Sequence, residues 1–352
     1  MENNNNQGQT TKSAKRLWIN AIIVLVIFLT LFTIVGNLND FNEIAAIVQT
    51  MHAGYLWLAI CASILSLLFL SLSNHIVLRA LNKEIGLVDG FLIQSIETFF
   101  NGITPFSSGA QPFQLYYYHK MGVPSNEATS VLAVNFIIFQ STSVFLTTFG
   151  LIIYFQEILN VMGSNIIYIL IGYTINTTIL VGLFLLAYVK SAYKLFEALF
   201  IFFERFKWTK KGAYKLRMKT ENYVGKFQGG VKFLFTKKRV FILSSLTKMI
   251  SLILLYSTTV IIFRALGQTT STSTAFYMFF SGILAVTTMM FVPLPGASGG
   301  TELSFSLLLA GVGLLSVQIV TVMLIWRIVT YYLGMLFGFI GFLLLKTRRT
   351  KQ

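Results

Sequence analysis

The sequence predicts an all-α, polytopic integral membrane protein: about eight transmembrane helices plus re-entrant broken helices, in two halves that can form an inverted repeat. Three observations lead there. Hydrophobic residues make up 55% of the 352 residues and charged residues only 11%, whereas a soluble domain carries roughly 25% charge. Several uncharged apolar stretches reach the ~20 residues that cross a bilayer as helix. They are continuous rather than alternating, which argues against a β-barrel. Finally, four of the five prolines fall in two short polar stretches, 101–114 and 291–302, each set among apolar residues. Irregular backbone at membrane depth is tolerated only where protein buries it or water reaches it. Two such breaks, one per half, point to a transporter-type site.

Composition also removes function classes. Cys61 is the single cysteine, and His52, His75 and His119 are scattered without ligand spacing, so no metal site and no cofactor is expected. There is no phosphate-binding G-x-x-x-x-G-K-[ST], no H-E-x-x-H and no nucleophile elbow. The net charge of +15 reads as membrane topology, and no nucleic-acid partner is expected.

In chain order, residues 1–16 form a polar cytoplasmic tail, expected to be disordered, ending in Lys12, Lys15 and Arg16. The first membrane half is 17–189. It opens with a retained span, Leu17 to Val35, and an external loop from Gly36 to Gly54. A second span follows from about Tyr55 to Val77. The broken segment 91–118 is expected to enter and leave on the inner side. Spans from about Ala128 to Tyr154 and from Ile166 to Val189 complete this half.

Residues 190–239 hold 14 of the 27 Lys and Arg residues, so they are placed in the cytoplasm. Their aromatic start, Tyr193 to Trp208, suits an interfacial helix, with the basic remainder against an anionic lipid surface. The second half, 240–345, has spans at Val240 to Phe263 and Ala275 to Val292, then the break 291–302. An outward span, Leu303 to Leu315, and a final span, Val317 to Leu345, follow, with short re-entrant helices around this break as the alternative. A basic tail, 346–352, returns inside, so both termini are cytoplasmic. Of the 27 basic residues, 24 fall in inner regions, leaving only Lys248, Arg264 and Arg327.

Charges inside spans are costly and mark functional candidates. Arg327 can hold a lipid phosphate by paired hydrogen bonds, or it can pair with Glu302 or Glu97 and only orient helices. Lys248 can bind a headgroup or snorkel to the inner face. Glu302, just after Gly299 and Gly300, can cap a helix start or meet a cationic headgroup, and Glu97 can meet a cationic headgroup or balance the buried bases. Arg264 reads as an interfacial anchor. Pro105, Gly109 and Pro112 in the first break, and Pro293, Pro295, Gly296, Gly299 and Gly300 in the second, interrupt the helices. They let a headgroup approach bare backbone, and a half-helix N-terminus favours a phosphate. Ser107, Ser108, Gln111 and Gln114, with Ser298 and Thr301, add uncharged hydrogen-bonding groups to a headgroup site.

Two motifs, NGITPFSSGAQPFQLYYYHKMGVPSNEA from Asn101 and FVPLPGASGGTE from Phe291, resemble the transmembrane, flippase-like part of the lysylphosphatidylglycerol synthase family. The resemblance covers about Leu17 to Leu345. It implies a bacterial plasma-membrane protein that moves phospholipid between leaflets, with lysyl-phosphatidylglycerol or another anionic or aminoacylated lipid as cargo. In full-length relatives further helices and a soluble domain follow. That domain transfers lysine from charged tRNA to phosphatidylglycerol, and the product helps repel cationic antimicrobial peptides. This chain has no room for it, so it is expected not to be an enzyme by itself. The rival expectations are the membrane part of a phosphatidylglycerol lysyltransferase system, and a non-catalytic scaffold that recruits a partner through 190–239. Membrane phospholipids are the expected partners, and a homo-oligomer is compatible with the composition.

Overall fold

The computed structural model describes residues 41–80, 85–189, 210–290 and 294–347, with a few isolated positions between 194 and 204. The expected first span, both tails except Lys346 and Thr347, most of the aromatic stretch before Trp208, and Pro293 lie outside the described residues. Every regular element described is helical. The helices are Phe41–Thr50 (α1), Ala53–Ala80 (α2), Leu87–Gly102 (α3), Ala110–Lys120 (α4), Ser125–Met162 (α5) and Ile166–Tyr188 (α6). They continue with Lys210–Thr236 (α7), Lys238–Ala265 (α8), Thr272–Met289 (α9), Gly300–Ala310 (α10), Ser316–Arg327 (α11) and Leu333–Thr347 (α12).

Five stretches among the described residues are long and apolar enough to cross a membrane. One of them, Glu127–Tyr188, contains two helices, because the chain turns at Gly163 with φ +52 between α5 and α6. The expected outward span at Leu303 to Leu315 is corrected. Its helix, α10, has 11 residues, about 16 Å of rise, roughly half the hydrocarbon core. The expected external loop at Gly36 to Gly54 also contains a helix, α1, whose Ile47 packs against the core beside buried Met51.

The two halves repeat one order: long helix, arm, break, short helix, long helix. The leading helices α2 and α8 have 28 residues each, and the short helices α4 and α10 have 11 each. α2 and α8 lie antiparallel. At one end the His52 amide donates to the Ala265 carbonyl at 2.8 Å, and at the other Lys237 Nζ donates to the Ala80 carbonyl at 2.9 Å. Between them Ser251 Oγ donates to the Ser66 carbonyl at 2.8 Å and Ser73 Oγ to the Ser244 carbonyl at 2.8 Å. Small hydroxyl residues let two helices approach and bond where lipid supplies no hydrophobic drive.

The arms are exchanged between halves. α3 packs on α12, where Thr98 Oγ1 donates to the Gly334 carbonyl at 2.6 Å. Gly338 lets α12 close on the Ser95 carbonyl, since an added Cβ would lie 2.4 Å from that oxygen. In the matching position α9 packs on α5, with Tyr154 edge-on to Tyr277 at 5.6 Å between ring centres. Each arm is therefore covered by the long helix that follows the short helix of the other half, α12 for α3 and α5 for α9.

α6 is held on α9 by a glycine and an amide network. A Cβ on Gly172 would lie 2.1 Å from the Thr288 carbonyl oxygen. One turn later Asn176 Nδ2 donates to the Thr287 carbonyl at 2.8 Å, and Gln140 Nε2 donates to Asn176. Gly172→Ala is expected to lift α6 and cost about 1–3 kcal/mol through overpacking, read as a lower midpoint in detergent thermal unfolding. Gly182, which has open space around its Cβ position, is the control. Equal midpoints for Gly172→Ala and Gly182→Ala would disprove the close approach.

Of the basic region, Lys210–Thr236 is one helix, α7, packed against α5. Gly230 lies against Ser130, and Gln228 Nε2 donates to the Leu186 carbonyl at 2.8 Å. Arg217 Nε is 2.9 Å from Glu204 and its Nη1 3.3 Å from Glu197.

Candidate functional site

Both breaks use the same backbone device. Thr104 and Leu294 are extended, at φ −117, ψ 144 and φ −115, ψ 147. Pro105 and Pro295 follow. The next two residues of each break turn left-handed: Phe106 and Ser107 at φ 58 and 47, Gly296 and Ala297 at φ 61 and 52. Ser108 Oγ then donates to the Pro105 carbonyl at 3.1 Å, and Ser298 Oγ to the Pro295 carbonyl at 2.8 Å. Three of the four left-handed residues are not glycine, a strained arrangement that persists only where the surroundings enforce it.

The two turns touch each other. Tyr331 clamps them: its hydroxyl donates to the Gly102 carbonyl at 2.9 Å, and its ring lies over Gly296, where an added Cβ would fall 2.0 Å from the tyrosine oxygen. Glycine at 296 thus serves both the positive φ and the close approach. Tyr331 reaches this place through a π-helical turn, Ile328–Tyr332, that directly follows Arg327. Such turns re-aim side chains within a helix. Stacked rings fix the flanks, Phe100 on Phe113 at 3.7 Å and Phe305 on Trp326 at 4.1 Å between centres.

A cavity of about 250 Å³ lies at this junction, and both halves line it. Its polar lining comes chiefly from Glu97, Ser107, Gln111, Thr301, Arg327 and Tyr331. Arg327 is buried, with Nε 2.8 Å from Glu302 Oε1. That approach is an ion-pair contact rather than a linear hydrogen bond, and Nη2 is buried without a hydrogen-bond partner. The guanidinium sits over the Tyr331 ring at 5.0 Å and the Trp326 ring at 5.7 Å, within cation–π range. Glu302 Oε2 accepts from the Gly299 amide at 2.7 Å, so the carboxylate caps α10 and faces Arg327 at once. The helix cap read for Glu302 and the ion pair read for Arg327 are both present.

The remaining candidates separate into those inside the cavity and those behind it. Glu97 lines it, and its Oε2 accepts from Gln94 and, at 3.3 Å, from Gln114. Gln114 is buried behind the carboxylate, where its Nε2 also lies 3.3 Å from the Ile93 carbonyl. Lys248 is buried outside the cavity lining and donates to Asn74 Oδ1 at 3.3 Å. Ser108, Ser298, Gly109 and Pro295 shape the turns without lining the cavity, and Pro112 sits exposed on α4. Thr301 lines it while donating to the Ala297 carbonyl at 3.1 Å.

The helix starts are partly occupied by the chain itself. Asn101 Oδ1 accepts from the Ala110 amide at 3.1 Å and Thr104 Oγ1 from the Gly109 amide at 2.9 Å. Together with the Glu302 cap, these bonds leave fewer free amides for a phosphate than the bare breaks suggest. Sequence reasoning missed Tyr331 and Asn101. Tyr331 lies four residues after Arg327, a spacing that shares a helix face. Asn101 is an amide at the end of an apolar arm.

Two broken segments, meeting at a cavity within a bundle of apolar helices, define a multi-pass membrane protein. Residues 18–338 match the lysylphosphatidylglycerol synthase TM region, and the chain belongs to that family. Its members are membrane proteins associated with lipid modification or transport. No curated protein matches the chain.

Proposed function

We propose that this protein is a flippase-like translocase that moves a phospholipid between the leaflets of the bacterial plasma membrane. The observation that carries the reading is the buried, unpartnered Nη2 of Arg327, on a side chain lining a cavity shared by both breaks. A buried donor without a partner is costly, and a phosphate oxygen would satisfy it with charge-assisted bonds. Glu97 lies in the same cavity and suits an amine on the headgroup, which favours an aminoacylated or otherwise zwitterionic cargo. Lys248 lies behind the polar wall, donating to Asn74 Oδ1 at 3.3 Å, and Ser107, Gln111 and Thr301 complete that wall. In this reading both termini face the cytoplasm and α7 meets the anionic inner surface.

The test is headgroup exchange between leaflets in liposomes holding the purified full chain, with fluorescent anionic, zwitterionic and lysylated phospholipids. Wild type is expected to accelerate exchange at least tenfold over empty liposomes. Folded protein that accelerates none of the three lipids would overturn translocation. It would favour the rival in which the chain is the membrane part of a phosphatidylglycerol lysyltransferase system.

A further inference from the structure

Another cavity, larger than that at the junction, lies away from the breaks. It is a groove of about 670 Å³ between α5, α8 and α9, walled by Phe149, Ile253, Val260, Phe276 and Phe280 among others. Phe149 and Phe276 are exposed, so the groove opens sideways towards lipid. Among the described residues its one charged lining residue is Arg264, at the end of α8. A second cavity, of about 350 Å³, lies at the same end and is polar, with His52, Tyr55, Gln268 and Thr269 in its lining. The two share Arg264 and Thr270, and among the described residues no carboxylate lines either.

The junction is built from connected parts. Arg264 Nε donates to Thr270 Oγ1 at 3.4 Å, and the His52 amide bonds the Ala265 carbonyl at 2.8 Å, tying the polar rim to the end of α8. The groove follows α8 from Met249 to Arg264, about 22 Å of helix. That exceeds half of the ~30 Å hydrocarbon thickness, so an acyl chain of one leaflet fits along it. An apolar groove inside the bilayer, leading to a cationic polar pocket at its edge, matches the division of a phospholipid into tail and anionic headgroup.

We propose that the groove and pocket joined at Arg264 form a docking site for one anionic phospholipid, its acyl chain along α8 and its phosphate at the Arg264 guanidinium. The site is separate from the Arg327 cavity. It requires that the chain spans a membrane, not that it moves lipid. Arg264 is then a recognition residue rather than an interfacial anchor alone.

The experiment is photo-crosslinking of the full chain in phosphatidylcholine vesicles with trace phosphatidylglycerol carrying a diazirine on one acyl chain. The same probe with a phosphocholine headgroup is run beside it, and labelled peptides are mapped by mass spectrometry. The glycerol probe is expected to label groove peptides from α8 and α9 roughly fivefold more than the choline probe, the factor one arginine near a membrane surface supplies. Arg264→Gln is expected to bring the two probes to parity. Ser257→Trp, which fills the groove and leaves Arg264 in place, is expected to reduce labelling by both. Parity in wild type would overturn the proposal, as would an unchanged ratio in Arg264→Gln or undiminished labelling in Ser257→Trp. Because crosslinking reads occupancy, a failure to translocate lipid leaves each of these outcomes interpretable.

Discussion

Arg327→Met is expected to abolish accelerated lipid exchange and to destabilise the protein by about 3–5 kcal/mol, because it strands the Glu302 carboxylate without its cation. One variant therefore cannot separate a substrate role from a structural one. Arg327→Met combined with Glu302→Gln can. The glutamine oxygen still accepts from the Gly299 amide, which Glu302 Oε2 does at 2.7 Å, and no unpaired charge remains. The double variant should recover thermal stability to within about 1 kcal/mol of wild type, since a neutral replacement for a buried pair is often tolerated. Exchange should stay at the level of empty liposomes. A double variant that is both stable and active would show that Arg327 only orients α11 against α10, and the headgroup role would be lost.

Gly296→Ala should have the second-largest effect. Its φ of +61 costs a residue with a Cβ about 1–2 kcal/mol. The added carbon would also fall 2.4 Å from the Tyr331 ring carbon that carries the hydroxyl. The ring must move, and its bond to the Gly102 carbonyl goes with it. A loss of about 2–4 kcal/mol is expected from strain and overpacking together. Hydrogen exchange should rise at both breaks, because Tyr331 bridges them. Tyr331→Phe removes only the hydroxyl and should cost about 1 kcal/mol. If Gly296→Ala loosens the second break and leaves the first protected, the two turns are not coupled through Tyr331.

Much of this was legible from residue order because it depends on local chemistry. Apolar runs and proline clusters suffice to locate most helices and the breaks, and Arg327, a rare cation, could be paired with one of two rare carboxylates, Glu302 or Glu97. What escaped depends on which distant helices meet. The left-handed turns at Phe106 and Ser107 break the usual association of positive φ with glycine, so no local rule announces them. Leu303 to Leu315 reads as a span by apolarity, yet α10 ends at Ala310 because the chain turns back at Gly311 to Gly313. The exchange of arms had one visible trace. Gly334, Gly338 and Gly341 form a small-residue face on α12, which announces a close helix neighbour without naming α3 as that neighbour.

That exchange also governs how the chain can be assembled. Thr98 meets Gly334 across 236 residues, so the first arm leaves the ribosome long before its cover exists. Contacts so far apart in the chain are slow to form, and surfaces awaiting them are prone to wrong association. The first half cannot settle as a finished unit during synthesis. Until α12 is inserted, the face of α3 that meets it, Thr98 included, lacks its partner.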